Sequence, residues 1–162
     1  MAKKNYKIYL FYLILVLILF AIDRVTKIYI LNIVDNVGVV NISINKFINL
    51  ILVWNSGIGF GLIPTESRII YNFISLVIIL INILLIYFCI RADKVRSILF
   101  LIIIGGSLGN LFDRIYYSAV PDFIDFHYKD FHWFIFNFAD IFISIGVFCL
   151  IFVELLEYKK KQ

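Results

Sequence analysis

Four long apolar runs constrain this chain more than any other feature of its sequence. They cover about residues 8–28, 69–90, 97–114 and 134–156. Each is close to the roughly 20 apolar residues that a helix needs to cross the ~30 Å hydrocarbon core of a membrane. With 63% hydrophobic and only 16% charged residues, the chain cannot present an ordinary soluble surface. We therefore predict an all-α membrane protein, a single polytopic domain (residues 1–162) with four transmembrane helices.

Lysine and arginine predict how these helices are oriented. The basic residues cluster at the amino end, in the short link 91–96 and in the tail 159–161. Eight of the eleven acidic residues fall instead on or beside the opposite side. By the positive-inside rule, both termini are expected to be cytoplasmic and the acidic loops external. The net charge of +4 is then a topology signal, and no nucleic-acid partner is predicted.

The two external loops differ in pattern. Polar and apolar residues partly alternate over about 33–56, which predicts a small extracytoplasmic β element. Residues 115–133 interleave aromatic and acidic side chains, which suits a segment at the level of the lipid headgroups. Within the third apolar run, Gly105 and Gly109 form a G-x-x-x-G pattern, which predicts close packing against another helix.

Two aspartates in apolar runs are the strongest functional signal. Asn110 precedes Asp113 by three residues, and Asn137 precedes Asp140 by the same spacing, so each pair shares one helical face. Antiparallel helices would place both acids at a similar depth, near the external side. An ionised Asp costs about 2.5–3.5 kcal/mol at membrane depth, which favours a functional site over chance.

The two carboxyl groups suggest a chemistry if they meet. In a poorly hydrated cleft both cannot ionise easily, so one is expected to retain a proton at neutral pH. Such a pair can act as acid and base in peptide hydrolysis, with no metal and no cofactor. Three alternatives remain at this point: acids that snorkel or pair with Arg114, relay carboxylates of a proton-coupled carrier, and a non-catalytic scaffold.

Three further patterns are weighed against simpler explanations. The stretch GGSLG around Ser107 matches G-x-S-x-G, but a nucleophile elbow needs a preceding strand, and a helix is predicted here. His127 and His132 lie among acids, yet a five-residue spacing does not place them on one helical face, so interfacial histidines are preferred to a metal site. Asp23 and Lys27 are either a local i, i+4 ion pair or support for the active site.

Five sequence blocks resemble those of the lipoprotein signal peptidase (signal peptidase II) family. In chain order they are AIDRVTK (21–27), NSGIGFG (55–61), GGSLGNLFDRI (105–115), VPDF (120–123) and FNFADIFISIG (136–146). The resemblance implies a catalytic dyad of Asp113 and Asp140. It also implies substrate-binding or supporting roles for Asp23, Lys27, Asn55, Gly57, Asn110, Arg114 and Asn137. One departure is visible, because the first block usually reads D-Q-x-x-K and here Arg24 follows Asp23.

The resemblance implies a metal-independent aspartic endopeptidase of the bacterial cytoplasmic (inner) membrane. Its implied substrate is a diacylglyceryl-modified prolipoprotein, cut on the amino side of the lipidated cysteine near the outer leaflet. The implied partners are this substrate and membrane lipid, and a monomer is expected. A loop from the outer β region is expected to cover the site, and Phe60, Phe112 and Phe138 are expected to contact the acyl chains.

Overall fold

The computed structural model describes residues 6–57 and 67–160. Its elements are α1 (Tyr6–Val37), β1 (Asn41–Asn45), β2 (Ile48–Asn55), α2 (Arg68–Arg91), α3 (Lys94–Tyr117), β3 (Val120–Tyr128), β4 (Phe131–Phe136) and α4 (Phe138–Lys160). The four helices of this part of the chain are all long and apolar enough to cross a membrane. The predicted fold class, four membrane helices with a small β element, is confirmed.

Two helix boundaries differ from the prediction. The first helix continues to Val37 rather than ending near residue 28, because its charged residues are buried within the fold and do not mark a helix end. The fourth helix begins at Phe138, and residues 134–136 belong to β4. Hydropathy alone cannot divide a continuous apolar run into a strand and a helix.

The β element is larger than predicted. Four antiparallel strands form one sheet in the order β1-β2-β3-β4, so the segment expected at headgroup level supplies half of it. The first hairpin turns at Asn45, whose side-chain oxygen accepts the backbone N–H of Phe47 at 2.8 Å. The second turns at Lys129, which adopts the left-handed region with φ 53°. The interleaved acids and aromatics of 115–133 largely reflect strand alternation.

A small apolar core attaches the sheet to the extended end of α1. Ile30, Val40 and Phe123 are buried together, and Val34 and Leu50 pack around them. Because Phe123 lies on β3, this core fixes the position of that strand against the helices. The position of Asp122, the preceding residue, follows from it.

The third helix is the centre of the bundle and packs against each of the other three. A side chain at Gly105 would collide with Leu19 of α1, and one at Gly109 would collide with the carboxylate of Asp23. The prediction that this glycine face packs closely against another helix is confirmed. The close approach brings the charged residues of α1 against the C-terminal half of α3.

Candidate active site

Lys27 is the centre of a buried polar cluster. Its ammonium nitrogen donates hydrogen bonds to Oδ2 of Asp23 (2.9 Å), Oδ1 of Asn110 (2.9 Å) and Oδ2 of Asp113 (2.6 Å). An ammonium group has three protons, so all of them are used. Lys27, Asp23 and Asp113 are each 0% exposed. The sequence left open whether Asp23 and Lys27 form only a local pair, and the structure shows that Lys27 joins α1 to α3.

Asp113 lies between two cations. Its Oδ2 is 2.6 Å from Nζ of Lys27, and its Oδ1 is 2.6 Å from Nη2 of Arg24. Arg24 is also 3.2 Å from Asp23, and its guanidinium lies 4.9 Å from the ring centroid of Phe112. Two cations therefore face two carboxylates, and the cluster is electrically balanced, as buried ions require.

Asp140 lies at the first turn of α4 and is surrounded by amides. Nδ2 of Asn110 donates to Oδ1 of Asp140 at 2.8 Å. The backbone N–H of Asn137 donates to its Oδ2 at 3.2 Å, and the N–H of Asp140 donates back to Oδ1 of Asn137 at 3.2 Å. This reciprocal pairing resembles a capping box and satisfies two N–H groups at the start of the helix. Both groups that donate hydrogen bonds to this carboxylate are uncharged.

Asp122, on β3, has a similar environment. Nδ2 of Asn137 donates to its Oδ1 at 2.6 Å, and Nδ2 of Asn55 donates to its Oδ2 at 2.9 Å. Burial and, second, the nearby charge of Asp140 raise the pKa of Asp122 to about 7, against the opposing effect of the two asparagine hydrogen bonds. Asp122 therefore holds a proton for a substantial fraction of the time at neutral pH.

The partnership of Asp113 and Asp140 stays a prediction, and the described contacts connect Asp140 with Asp122 instead. The ion pairs of Asp113 run to Lys27 and Arg24, whereas Asn137 contacts both Asp122 and Asp140. The charge of Asp140 also acts directly on Asp122. Sequence reasoning missed Asp122 because the matched Asn–Asp spacing pointed to two helices. The available signal was the VPDF block, whose aspartate received no role.

Two neighbouring cavities adjoin the two carboxyl groups. One, of about 400 Å³, is lined by Asp140 and mainly by aromatic side chains of β4 and α4, including Trp133 and Phe148. The other, of about 330 Å³, is more polar and is lined by residues that include Asp122 and Asn55. Trp133 lines both cavities. An apolar space and a polar space thus meet beside the carboxyl pair.

The predicted supporting residues at the end of β2 are brought together. The N–H of Gly57 donates to Oδ1 of Asn55 at 2.9 Å, and Nη2 of Arg114 donates to the carbonyl oxygen of Gly57. The hydroxyl of Tyr71 donates to the carbonyl oxygen of Arg114 at 3.0 Å. This chain of bonds ties the end of β2 to α2 and α3, beside Asp122.

The expected acyl-chain contacts are placed differently. Phe60 lies outside the described residues. Phe138 packs against Phe123 of the sheet, with ring centroids 6.3 Å apart. Phe112 is partly exposed and stacks on Tyr116. Among the described residues, the aromatic lining of the apolar cavity comes from β3, β4 and α4, which the sequence did not indicate.

Ser107 is excluded as a nucleophile by its surroundings. It lies within α3, and its hydroxyl accepts a hydrogen bond of 2.7 Å from Nδ2 of Asn82 on α2. The side chain is buried in the interface of two continuous helices. The serine therefore joins helices, and Asn82 acquires a structural role.

The fold and the site define a class: a four-span membrane protein with one buried and one partly buried carboxyl group, both supported by amides, beside an apolar cavity. A family model described as signal peptidase (SPase) II matches residues 15–156, and the chain belongs to that family. The lipoprotein signal peptidase of Pelagibacter ubique is 49% identical over 99% of this chain and 97% of its own length. That of Anaplasma marginale is 38% identical over 91% of this chain and 85% of its own.

A solved structure agrees with this assignment. A bacterial membrane enzyme determined by the in meso method at 2.3 Å superposes with a TM-score of 0.77 at 26% identity, covering 93% of this chain and 91% of that one. The predicted resemblance is confirmed, and the chain is a multi-pass protein of the bacterial inner membrane. Family membership also sets aside the carrier and scaffold interpretations.

Proposed function

We propose that this chain removes the signal peptide from diacylglyceryl-modified prolipoproteins, on the amino side of the lipidated cysteine, using Asp122 and Asp140. Membership of the signal peptidase II family and full-length similarity to lipoprotein signal peptidases support the reaction. One observation carries the choice of carboxyl groups. Asn137 contacts both Asp122 and Asp140, whereas Asp113 is neutralised by cations.

The reaction follows from one proton shared by this pair. Protonated Asp122 donates a hydrogen bond to the oxygen of the scissile carbonyl, while ionised Asp140 takes a proton from the attacking water. The water oxygen bonds to the carbonyl carbon, and negative charge on the carbonyl oxygen is stabilised by Asp122. Collapse of this intermediate breaks the C–N bond, and the proton on Asp140 passes to the leaving amine. Asp122 then carries its original proton.

The two cavities suit the two parts of this substrate. The apolar cavity beside Asp140, about 400 Å³ in volume, fits acyl or signal-peptide side chains. The polar cavity beside Asp122 offers Asn55 and Gly57 to a peptide backbone. Burial of apolar groups stabilises binding in proportion to the area removed from water, while the polar groups set the register of the scissile bond.

Asp113 and Lys27 act as positioning residues in this proposal. Lys27 donates to Oδ1 of Asn110, which fixes the amide so that Nδ2 points at Asp140. Asp113 and Asp23 hold Lys27 in place. Asp23 also accepts the backbone N–H of Ala139 at 3.1 Å, which fixes the start of α4. These residues therefore remain part of the proposed active site, but they position the groups around Asp140 and do not contact the substrate.

The placement of the site in the membrane is also part of the proposal. The basic link 91–96 and tail support cytoplasmic termini. Because Asp140 bonds to Asn110 near the opposite end of α3, the carboxyl pair then lies near the outer leaflet, where a lipidated cysteine would sit. Every group used in the proposed reaction belongs to one chain, which supports a functional monomer. The proposed steps use two carboxyl groups and a water molecule, and so they require no metal ion.

The test uses one precursor in two forms, with and without the diacylglyceryl group, incubated with the purified chain in detergent. We expect cleavage of the modified form only, unchanged by a chelator, and no cleavage by Asp140→Asn. Equal cleavage of both forms would contradict the proposal that the substrate must carry the diacylglyceryl group. Activity lost on chelation and restored by Zn²⁺ would remove the metal-free mechanism. Activity in folded Asp140→Asn would show that Asp140 is not a member of the catalytic pair.

A further inference from the structure

Two histidines of the sheet face each other across neighbouring strands. His127 on β3 is paired with His132 on β4, and their rings stack with centroids 5.4 Å apart. Asp125 lies two residues before His127, on the same face of the strand, and is 1% exposed. The sequence argument against a metal assumed helical spacing. A hairpin brings the same residues together, so that argument does not apply.

The distances within this cluster match those of a metal site. Oδ2 of Asp125 lies 2.9 Å from Nδ1 of His132 and 3.5 Å from Nδ1 of His127. One ligand atom from each of the three residues lies within 4.8 Å of the others. Around a tetrahedral Zn²⁺ with bonds of about 2.0–2.1 Å, neighbouring ligand atoms are about 3.3 Å apart. The two distances to Asp125 bracket that value, and the ligand atoms of the two histidines lie no more than 4.8 Å apart.

The side chains also carry the right donor atoms. Two imidazole nitrogens and a carboxylate oxygen form a set that zinc and similar transition ions prefer. Nδ1 of His127 is buried and has no hydrogen-bond partner, although it lies 3.5 Å from Oδ2 of Asp125. An unpaired buried acceptor is costly, and a metal ion would satisfy it. His132 is 55% exposed, which leaves a path for the ion and room for a water ligand.

We infer that Asp125, His127 and His132 bind one Zn²⁺ ion on the extramembrane sheet. The ion would join β3 to β4 near the turn of their hairpin. None of the three ligands belongs to the proposed carboxyl pair, although His132 lines the polar cavity. The metal takes no part in the proposed reaction, so the site is tested by metal binding and not by cleavage.

Calorimetric titration with ZnCl₂ tests the site directly. The full chain is purified in detergent without a histidine tag and stripped with a chelator. We expect one Zn²⁺ per chain, and at least about tenfold weaker binding in His132→Gln and in His127→Gln, because each loses one of three ligands. Asp130→Asn is the matched control, since it removes an exposed carboxylate from the turn of the same hairpin without touching the cluster.

Chemical modification gives a second measurement that needs no variant. The sequence contains only two histidines, so their reaction with diethylpyrocarbonate, followed by mass spectrometry, reports this site alone. Zn²⁺ is expected to protect both. No stoichiometric binding, equal binding by the histidine variants and Asp130→Asn, or unprotected histidines would each overturn the inference and leave a His132–Asp125 hydrogen bond only.

Discussion

Two clusters of buried carboxyl groups lie side by side in this protein, and their surroundings differ. In the first, Asp23 and Asp113 face Lys27 and Arg24, so negative and positive charges are matched. In the second, Asp122 and Asp140 are held by asparagine amides and a backbone N–H. Both clusters contain an aspartate that would be expensive to bury alone. Among the described residues, only the first cluster contains ion pairs with cations.

In the proposed mechanism, this difference separates the structural acids from the reactive ones. The charge of Asp113 is compensated by ion pairs with Lys27 and Arg24. Asp122 accepts hydrogen bonds from neutral amides instead, and burial and the charge of Asp140 raise its pKa to about 7. We therefore base the proposed choice of catalytic acids on the charge of their neighbours and not on depth in the membrane.

The largest expected effect comes from substitution in the second cluster. Asp122→Asn and Asp140→Asn each remove one member of the acid–base pair, and we expect a fall in kcat of at least about 10³-fold. Asp113→Asn leaves Lys27 paired with Asp23 and is expected to keep measurable activity. Precursor cleavage at saturating substrate is the measurement.

Asp35→Asn provides the baseline for this series, because Asp35 is exposed at the end of α1. Thermal unfolding in detergent confirms that each variant is folded. A folded Asp113→Asn protein as inactive as Asp122→Asn would reverse the distinction between the clusters and return Asp113 to the catalytic pair.

The second-largest expected effect is a loss of stability when Lys27 of the first cluster is substituted. Lys27→Met removes an ammonium group from two buried carboxylates, and breaking a buried pair in this way costs about 3–5 kcal/mol. We expect a marked fall in thermal stability. The double variant Lys27→Met/Asp113→Asn should recover part of it, because the charges balance again. Equal stability of single and double variants would show that Lys27 is not the compensating charge.

The pH dependence of activity sharpens the comparison further. Asp122 has a raised pKa of about 7 and acts in its protonated form. Above that pH, kcat/KM should fall about tenfold per unit, because each unit removes nine tenths of the protonated form. Asn55→Ala removes a hydrogen bond that lowers this pKa, so the alkaline limb should shift to higher pH. An unshifted limb would show that it reports another group.

The free energy of unfolding should also depend on the protonation of Asp122, and this contribution should decrease as pH rises. Between the unfolded value near 3.8 and the folded value near 7, folded Asp122 holds more protons than the unfolded chain. The free energy of unfolding contributed by this group is therefore fully present below about pH 3.8 and is lost as pH rises towards 7. Asp122→Asn should remove that slope, whereas Asp113→Asn should retain it.

Much of this architecture could be predicted from the sequence, because local patterns determine it. The four spans follow from hydropathy, and the importance of Asn137 and Asp140 follows from polar residues at helical spacing in an apolar run. The glycine face of α3 follows from small residues one turn apart. Each of these signals is contained within a single element.

The parts that could not be predicted depend on contacts between distant elements. The proposed role of Asp122 depends on the contact of β3 with the start of α4, which no local pattern reports. The charged residues of α1 resemble a helix end until Lys27 is seen to pair with Asp113 of α3. The histidines likewise become a cluster only when β3 and β4 pair. Strand register is a long-range property.

The smallest expected effect concerns Arg24, which replaces the glutamine of the family pattern. Its ion pair with Asp113 adds a second cation to a carboxylate that Lys27 already neutralises. Glutamine can still donate a hydrogen bond from this position, so we expect Arg24→Gln to change kcat/KM by less than about threefold, since the pair on Asp122 and Asp140 is untouched. Arg24→Glu serves as the contrast, because it brings a third negative charge to Asp23 and Asp113 and should destabilise the fold. A tenfold loss in Arg24→Gln at unchanged thermal stability would mean that the first cluster contacts the reacting groups, and that compensation by cations does not separate structural from catalytic carboxylates.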